Sequence, residues 1–231
     1  GKRNFTNMNK VNHVAFIMDG NGRWGIKKHR GRNFGHYTGV QTLKKTVEGA
    51  IKFKIPTLTF YVFSTENWRR PKKEINFLLK LIGDYFNKEL KNVISQGIKI
   101  KIIGENKKLP NKLLKILKLT EEKTFHNKKI NVNLAINYGS KNEIVSSIKK
   151  IKNPTLINEK KISSNLSTKD FPDPDILIRT GGKKRLSNFM LWQLAYTEIF
   201  FLEKLWPDFN NQDLKKVLYK FKSIKRNFGN I

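Results

Sequence analysis

Short apolar runs alternate with longer segments of helical period from one end of the chain to the other. Strands are predicted at 13–18 (HVAFIM), 57–63 (TLTFYVF), 98–103 (IKIKII), 130–136 (INVNLAI), 174–179 (PDILIR) and 197–201 (TEIFF), because each is short and rich in β-branched or aromatic residues. Between them, apolar side chains recur at i, i+3 and i+4 over 36–53, 73–96, 108–124, 140–150, 188–195 and 211–224, which predicts helices. This alternation implies right-handed crossovers and one α/β domain over 1–231, with a central, mostly parallel sheet of about six strands flanked by helices. The stretch 151–172, with Lys, Asn, Ser and two prolines, reads as a connection. In helix 73–96, Ile75, Leu79, Ile82, Phe86, Leu90 and Val93 form a stripe that Leu78, Leu81 and Tyr85 widen. Such a stripe suits either a core face or the wall of a hydrophobic tunnel.

In open parallel sheets, ligands bind beyond the carboxyl ends of the strands, where loops and helix N-termini present backbone N–H groups. Three polar, arginine-bearing segments emerge at that edge: DGNGRW (Asp19–Trp24), STENWRRP (Ser64–Pro71) and RTGGKKRLSN (Arg179–Asn188). In the first, Asp19 sits at a strand end before Gly20 and Gly22, which permit a turn or a close backbone approach to phosphate. Arg32 and His36 follow within reach of the same place. In the second, Ser64, Glu66, Asn67, Trp68 and Arg70 crowd a strand-to-helix turn closed by Pro71. The third sets Arg179, Arg185 and Ser187 around Gly181 and Gly182, a phosphate cradle with two guanidinium groups. Glu198 stands near the start of an apolar strand, where an unpartnered carboxylate is costly. Together, Asp19 and Glu198 suggest Mg²⁺ bridging substrate oxygens rather than a closed protein cage. A second acidic group, Asp170, Asp173 and Asp175, precedes its strand and is expected at the opposite edge as a cap and turn.

Charge narrows the partners. The 231 residues carry a formal net charge of +29, which calls for something anionic: nucleic acid, a membrane surface or a phosphorylated metabolite. Lysine is the background, whereas seven of the nine arginines fall in 23–32, 69–70 and 179–185. Guanidinium groups bind diphosphate in bidentate fashion, so scarce arginine clustered this way favours specific phosphate sites. With no cysteine in the sequence, a disulfide scaffold, thiolate catalysis and Cys-ligated zinc are excluded. No run of about 18 apolar residues appears and the first residues lack a signal-peptide core, so a soluble chain is expected, cytoplasmic or peripheral to a membrane.

HVAFIMDGNGRW with RGRNFGH, then TFYVFSTENWRRP, then PDILIRTGGKKRLSNFMLWQLAYTEIFFLEKLWPDF resemble, in order and spacing, the signature blocks of the cis-prenyltransferases. The DGNGRW block is similar to that of bacterial undecaprenyl diphosphate synthases; dehydrodolichyl diphosphate synthases carry out the same reaction. The resemblance implies condensation of isopentenyl diphosphate onto an allylic diphosphate such as farnesyl diphosphate, making a long polyprenyl diphosphate for a dolichol- or undecaprenol-type carrier lipid. Carried over by residue, Asp19 would hold Mg²⁺ and act at the reacting centre, with Glu198 a second metal contact. Gly20, Asn21, Gly22, Arg23 and Trp24, with Arg32 and His36, would hold the allylic diphosphate. Arg179, Arg185, Leu186 and Ser187 would bind isopentenyl diphosphate, while Ser64, Thr65, Glu66, Trp68 and Arg70 occupy substrate-contact positions. Asn67 matches a position assigned to proton removal, although a carboxamide is a poor base and suits orientation or relay better. A homodimer is expected around Phe200, Phe201 and Trp206, with peripheral membrane contact for product release. This chain departs from the family at Lys183, where Glu is common, and at Asn227-Phe228-Gly229, where Arg-x-Gly is common. Two alternatives stand beside this reading: a basic nucleic-acid-binding α/β protein, which the burial of most aromatics in apolar strands disfavours, and a non-catalytic partner subunit, which would lack the diphosphate-binding residues.

Overall fold

Val14 and Phe16 point to one side of the first strand and Ala15 and Ile17 to the other, and all four are buried, as a strand covered on both faces requires. The computed structural model describes residues 10–226. In chain order, strands β1 (His13–Ile17), β2 (Thr57–Ser64), β3 (Ile98–Ile103), β4 (Ile130–Tyr138), β5 (Ile176–Arg179) and β6 (Glu198–Phe201) make one sheet in the order β3-β4-β2-β1-β5-β6. Every pairing is parallel. Helices α1 (Asn21–Lys27), α2 (Gly31–Lys52), α3 (Lys72–Ser95), α4 (Asn111–Thr124), α5 (Ser140–Lys149), α6 (Glu159–Ser163) and α7 (Asn211–Lys222) flank it. The strand order reverses beside β1, because β2 to β4 are laid on one side of it and β5 and β6 on the other. A crevice at the carboxyl end of β1 follows from that topology.

The larger core centres on Phe16, which stacks on Phe60 at 4.9 Å and meets Trp206 edge-on at 5.8 Å, with Trp206 stacked on Phe209 at 5.2 Å. Trp206 is fully buried and gives its indole N–H to Gly39 O at 2.9 Å. It is therefore core and not subunit interface, a correction to the sequence expectation. On the edge strand β6 the more accessible apolar side chains are Ile199 and Phe201.

Two other expectations fail for local reasons. The glycine-rich segment after β1 is helical from Asn21 rather than a turn, because Gly25 and Gly35 let α1 and α2 cross where any Cβ would strike the other backbone. Gly20, at φ 110°, makes the bend into that helix, and a side chain there would strike Leu205. Conversely, 188–195 is a series of turns and not a helix: Asn188 and Met190 adopt φ of 63° and 46°, which right-handed helix excludes. Among the described residues no helix is long and apolar enough to cross a membrane.

His13, fully buried at the head of β1, contacts Pro172 O at 2.6 Å and Thr59 Oγ1 at 2.7 Å through its two ring nitrogens. Because Thr59 Oγ1 already accepts from Asn133 Nδ2 at 3.0 Å, its hydroxyl hydrogen serves His13 Nε2, and His13 Nδ1–H donates to Pro172. That arrangement requires the neutral ring. Burial above all pushes His13 down to about 4 from 6.5, and burial followed by the charge of Arg70 does the same to His36. Between those values the unfolded chain binds two protons that the folded chain does not, so stability falls as pH drops from 6.5 towards 4. The expected slope is about 1.4 kcal/mol per pH unit for each histidine. Urea midpoints measured across this window should therefore decline, and His13→Gln should remove roughly half of the slope. An unchanged slope in that variant would contradict the buried neutral His13.

Candidate active site

Asp19 stands two residues past the end of β1, and its backbone is tied down: its carbonyl accepts Trp206 N–H at 3.0 Å and Thr180 Oγ1–H at 2.8 Å. Its carboxylate is held between two arginines. Arg179 Nη2 donates to Oδ2 at 3.0 Å and Arg23 Nη2 to Oδ1 at 3.2 Å; Arg23 also reaches Gly181 O at 2.8 Å. Arg179 is buried at the end of β5, and its second amino group donates to Arg185 O at 2.6 Å and Ser187 Oγ at 2.7 Å. The first and third arginine-bearing segments thus meet on one carboxylate.

The second segment forms a 3₁₀ turn, Thr65–Arg69, between β2 and α3. Asn67 Oδ1 accepts Ser64 N–H at 3.1 Å, which occupies the carboxamide oxygen and leaves its NH₂ as the group available to a ligand. Trp68 packs on Phe63 at 5.1 Å and donates its indole N–H to Asn137 Oδ1 at 2.7 Å. Arg70 Nη1 donates to Glu74 Oε1 at 3.0 Å, and Arg32 Nη2 reaches the same oxygen at 3.1 Å, with His36 Nε2 at 3.7 Å. Burial works against ionised Glu74, but the hydrogen bond from Arg32 and the charges of Arg32 and Arg70 outweigh it and hold its carboxyl below the ordinary range. Glu74 gathers three predicted phosphate ligands, yet the sequence reading missed it. No local signal marks it, because an acidic residue in the first turn of a helix is ordinary complementarity to the helix N-terminus.

Between these loops lies a cavity of about 580 Å³ lined by Asp19, Asn21, His36, Ser64, Glu66, Asn67, Arg70, Arg179, Arg185 and Ser187 from the predicted set, together with Tyr61, Leu78 and Asn188. The other predicted residues do not line it. Gly20 and Gly22 shape α1, with the Arg32 guanidinium lying against Gly22, and Arg23 acts through Asp19 and Gly181. Thr65 is beside Gly139, while Leu186 packs on the apolar cluster that Ala15, Ile17 and Phe189 form on the other face of the sheet. Trp24 is stacked on Phe34 at 6.0 Å and donates to Asp208 Oδ1 at 2.7 Å, so it braces α1.

Glu198 is not in this site. It opens β6 in register with Ile176, at the end of the sheet away from the Arg179–Phe201 level, and faces Arg226 at 3.8 Å. Strand direction is the reason: a residue that begins a parallel strand lies at the amino edge, beside Asp175, which accepts Asn12 N–H at 2.7 Å and His13 N–H at 3.1 Å. Within one chain, therefore, Asp19 and Glu198 do not share a metal. The departure at Asn227-Phe228-Gly229 lies outside the described residues.

Residues 17–229 match the family model of the undecaprenyl diphosphate synthases. This chain belongs to the cis-prenyltransferase family. It is 44% identical over 227 residues to an isoprenyl transferase of Prochlorococcus marinus, covering 95% of this chain and 84% of that one. To an isoprenyl transferase of Fusobacterium nucleatum it is 42% identical over 221 residues, covering 95% and 96%. Among solved structures, lavandulyl diphosphate synthase from Lavandula x intermedia, in complex with dimethylallyl diphosphate, superposes with TM-score 0.91 at 35% identity over 95% of this chain and 98% of that one. A probable undecaprenyl diphosphate synthase from Campylobacter jejuni gives 0.82 at 36% identity, covering 96% and 100%. The protein is a prenyltransferase, and the alternative reading as a nucleic-acid binder falls away. For a cis-prenyltransferase, a carboxylate fixed between guanidinium groups at a sheet's carboxyl edge makes chemical sense, since charge placed in advance acts on diphosphate without reorganisation.

Proposed function

We propose that this enzyme condenses isopentenyl diphosphate onto an allylic diphosphate such as farnesyl diphosphate, repeatedly and with new double bonds in cis, to make a polyprenyl diphosphate for a dolichol- or undecaprenol-type glycosyl carrier. The observation that carries this reading is the position of Asp19 between Arg23 and Arg179. One carboxylate is flanked by two arginine-bearing half-sites, as two diphosphates meeting at one reacting centre require. Arg179, Arg185 and Ser187 serve isopentenyl diphosphate; the start of α1, with Arg32, His36 and Arg70, serves the allylic diphosphate.

In this scheme the allylic C–O bond breaks with diphosphate as the leaving group, and a C–C bond forms to the terminal alkene carbon of isopentenyl diphosphate. The cation left on the internal alkene carbon is quenched by loss of one proton from the CH₂ beside it, which sets the new double bond. Asn67 orients the isopentenyl group through its free NH₂, and the proton passes to Asp19 or a diphosphate oxygen. Among the described residues no three His, Asp or Glu side chains converge, so a metal here would have Asp19 as its protein ligand. One carboxylate completed by diphosphate oxygens and water suits Mg²⁺, a hard cation that keeps much of its hydration. When bound, Mg²⁺ supplies charge neutralisation for the departing diphosphate.

For the hydrocarbon, Leu78 supplies an apolar wall of the cavity, and Phe77, Leu81 and Tyr85 of α3 with Phe34, Tyr37 and Val40 of α2 supply the apolar part of a groove of about 570 Å³ that Lys80, Asp84, Lys88 and Glu89 also line. Ile75, Leu79, Phe86 and Val93 of the predicted stripe belong instead to the buried core. The edge strand β6, with Ile199 and Phe201, offers a homodimer interface, and peripheral contact with a membrane suits release of an apolar product.

Labelled isopentenyl diphosphate incubated with farnesyl diphosphate and Mg²⁺, with products resolved by length, tests the reading. A ladder ending in long polyprenyl diphosphates is expected. The lavandulyl diphosphate synthase neighbour, in complex with dimethylallyl diphosphate, favours a second reading, in which dimethylallyl diphosphate and not farnesyl diphosphate is the substrate. Product from dimethylallyl diphosphate alone, with none from farnesyl diphosphate, would establish that reading instead.

A further inference from the structure

Ser187, Asn188 and Met190 hold left-handed φ of 51°, 63° and 46°, three of four consecutive residues in a conformation that non-glycine residues keep only when their surroundings over-determine it. Part of the restraint comes from Arg179, through Ser187 Oγ, and from Tyr61, whose hydroxyl lies 3.3 Å from Ser187 O and whose ring stacks on Phe189 at 4.4 Å. The rest comes from Asn188. Its Nδ2 donates to Glu66 Oε1 at 2.8 Å, its Oδ1 accepts Lys141 N–H at 2.9 Å, and its backbone carbonyl accepts Ser140 N–H at 2.8 Å. One side chain thereby joins the loops that follow β2, β4 and β5. Asparagine suits the position, being among the residues that tolerate left-handed backbone best.

We propose that Asn188 is a positioning residue that, clamped to Glu66, holds the Arg185–Ser187 half of the site in register with the Asn67–Arg70 half. This rests on the proposed function for the identity of the two diphosphates. One loop carries ligands of isopentenyl diphosphate and the other carries Arg70, which serves the allylic diphosphate, beside Asn67, which orients the isopentenyl group. The spacing between them therefore sets the approach of alkene to allylic carbon, and displacements of order 1 Å there are costly. Glu66 fits the role of a tie better than that of a substrate contact. Burial opposes its ionised form, but hydrogen bonds, that from Asn188 first among them, outweigh it and keep the carboxyl below its usual range. An ionised carboxylate turned towards a diphosphate would repel it; turned towards the Asn188 amide, it fastens two loops.

A reciprocal swap tests the clamp. Asn188→Asp keeps the acceptor for Lys141 N–H but sets a second carboxylate against Glu66. Asn188→Asp with Glu66→Gln restores the contact with donor and acceptor exchanged. Asn188→Asp is expected to lower kcat and raise KM for both diphosphates, with a combined loss in kcat/KM of about tenfold or more, and the double variant to recover most of it. Asn188→Gly, free of backbone strain at this φ, should show the same kinetic loss, so a poorly folding Asn188→Asp does not leave the matter open. Amide exchange at residues 186–189 should rise in both single variants and return towards the parent in the double. Equal exchange and kinetics in parent and Asn188→Gly, or a double variant no better than Asn188→Asp, would overturn the clamp. Exchange is read without substrate, so absence of prenyl transfer in the parent would count against the proposed function and leave the clamp to be decided separately.

Discussion

Asp19→Asn is expected to lower turnover on the order of 10³-fold while leaving the binding of both diphosphates intact. The substitution is nearly isosteric, and the tie of the Asp19 carbonyl to Trp206 and Thr180 is made by backbone and survives it. The loss is the negative charge between Arg23 and Arg179. Those arginines, released from Asp19, attract diphosphate at least as well as before, so the equilibrium constant for isopentenyl diphosphate should stay level or tighten. The chemical step should fail, because among the described residues the other carboxylates near the cavity are engaged elsewhere: Glu66 is committed to Asn188 and Glu74 to Arg32 and Arg70. Single-turnover rates beside calorimetric binding separate the two effects. Near-parent turnover at saturating Mg²⁺ would show that the assignment of Asp19 is wrong while leaving the fold untouched.

Arg179→Ala should cost the most after that, and in a different manner from Arg185→Ala. Read as sequence, both arginines belong to one phosphate cradle and are expected to act alike. In the fold, Arg179 has a side chain only 4% exposed and serves Asp19, Arg185 O and Ser187 Oγ together. Removing it frees the carboxylate and loosens the 185–187 loop at once, so kcat and KM should both worsen, with about 2 to 3 kcal/mol of stability lost besides. Arg179→Lys should recover little, since one ammonium cannot reproduce a planar fork that binds in two directions. Arg185 is exposed and touches Arg179 through its backbone carbonyl, so Arg185→Ala should mainly raise KM for isopentenyl diphosphate, by about tenfold. Indistinguishable kinetic profiles for the two alanine variants would refute this division.

The period of apolar residues determined the sheet. Each predicted strand is present within a few residues of its expected bounds, because short β-branched runs between helical segments have few other ways to bury both faces. The three arginine-bearing segments were legible as a site for a related reason: strand direction alone sends them to one edge. Applied to Glu198, the same rule would have placed it at the other edge, since the residue opens its strand. Periodicity misled at 188–195, where Phe189, Met190 and Leu194 are spaced as on a helix and are all buried. The choice there was made by partners far away in sequence: Arg179, Tyr61 and Glu66 hold the backbone in a conformation that no local pattern announces. Glu74 and Asn188 stayed hidden because their chemistry lies in which side chains they meet, and Asn188 and Glu66 are 122 positions apart. The sequence by itself determined the layers, the edge of the sheet and the kind of charge gathered there. The tertiary structure decided which charges neutralise one another and which face the cavity, since that depends on the distances folding creates between loops the chain keeps apart.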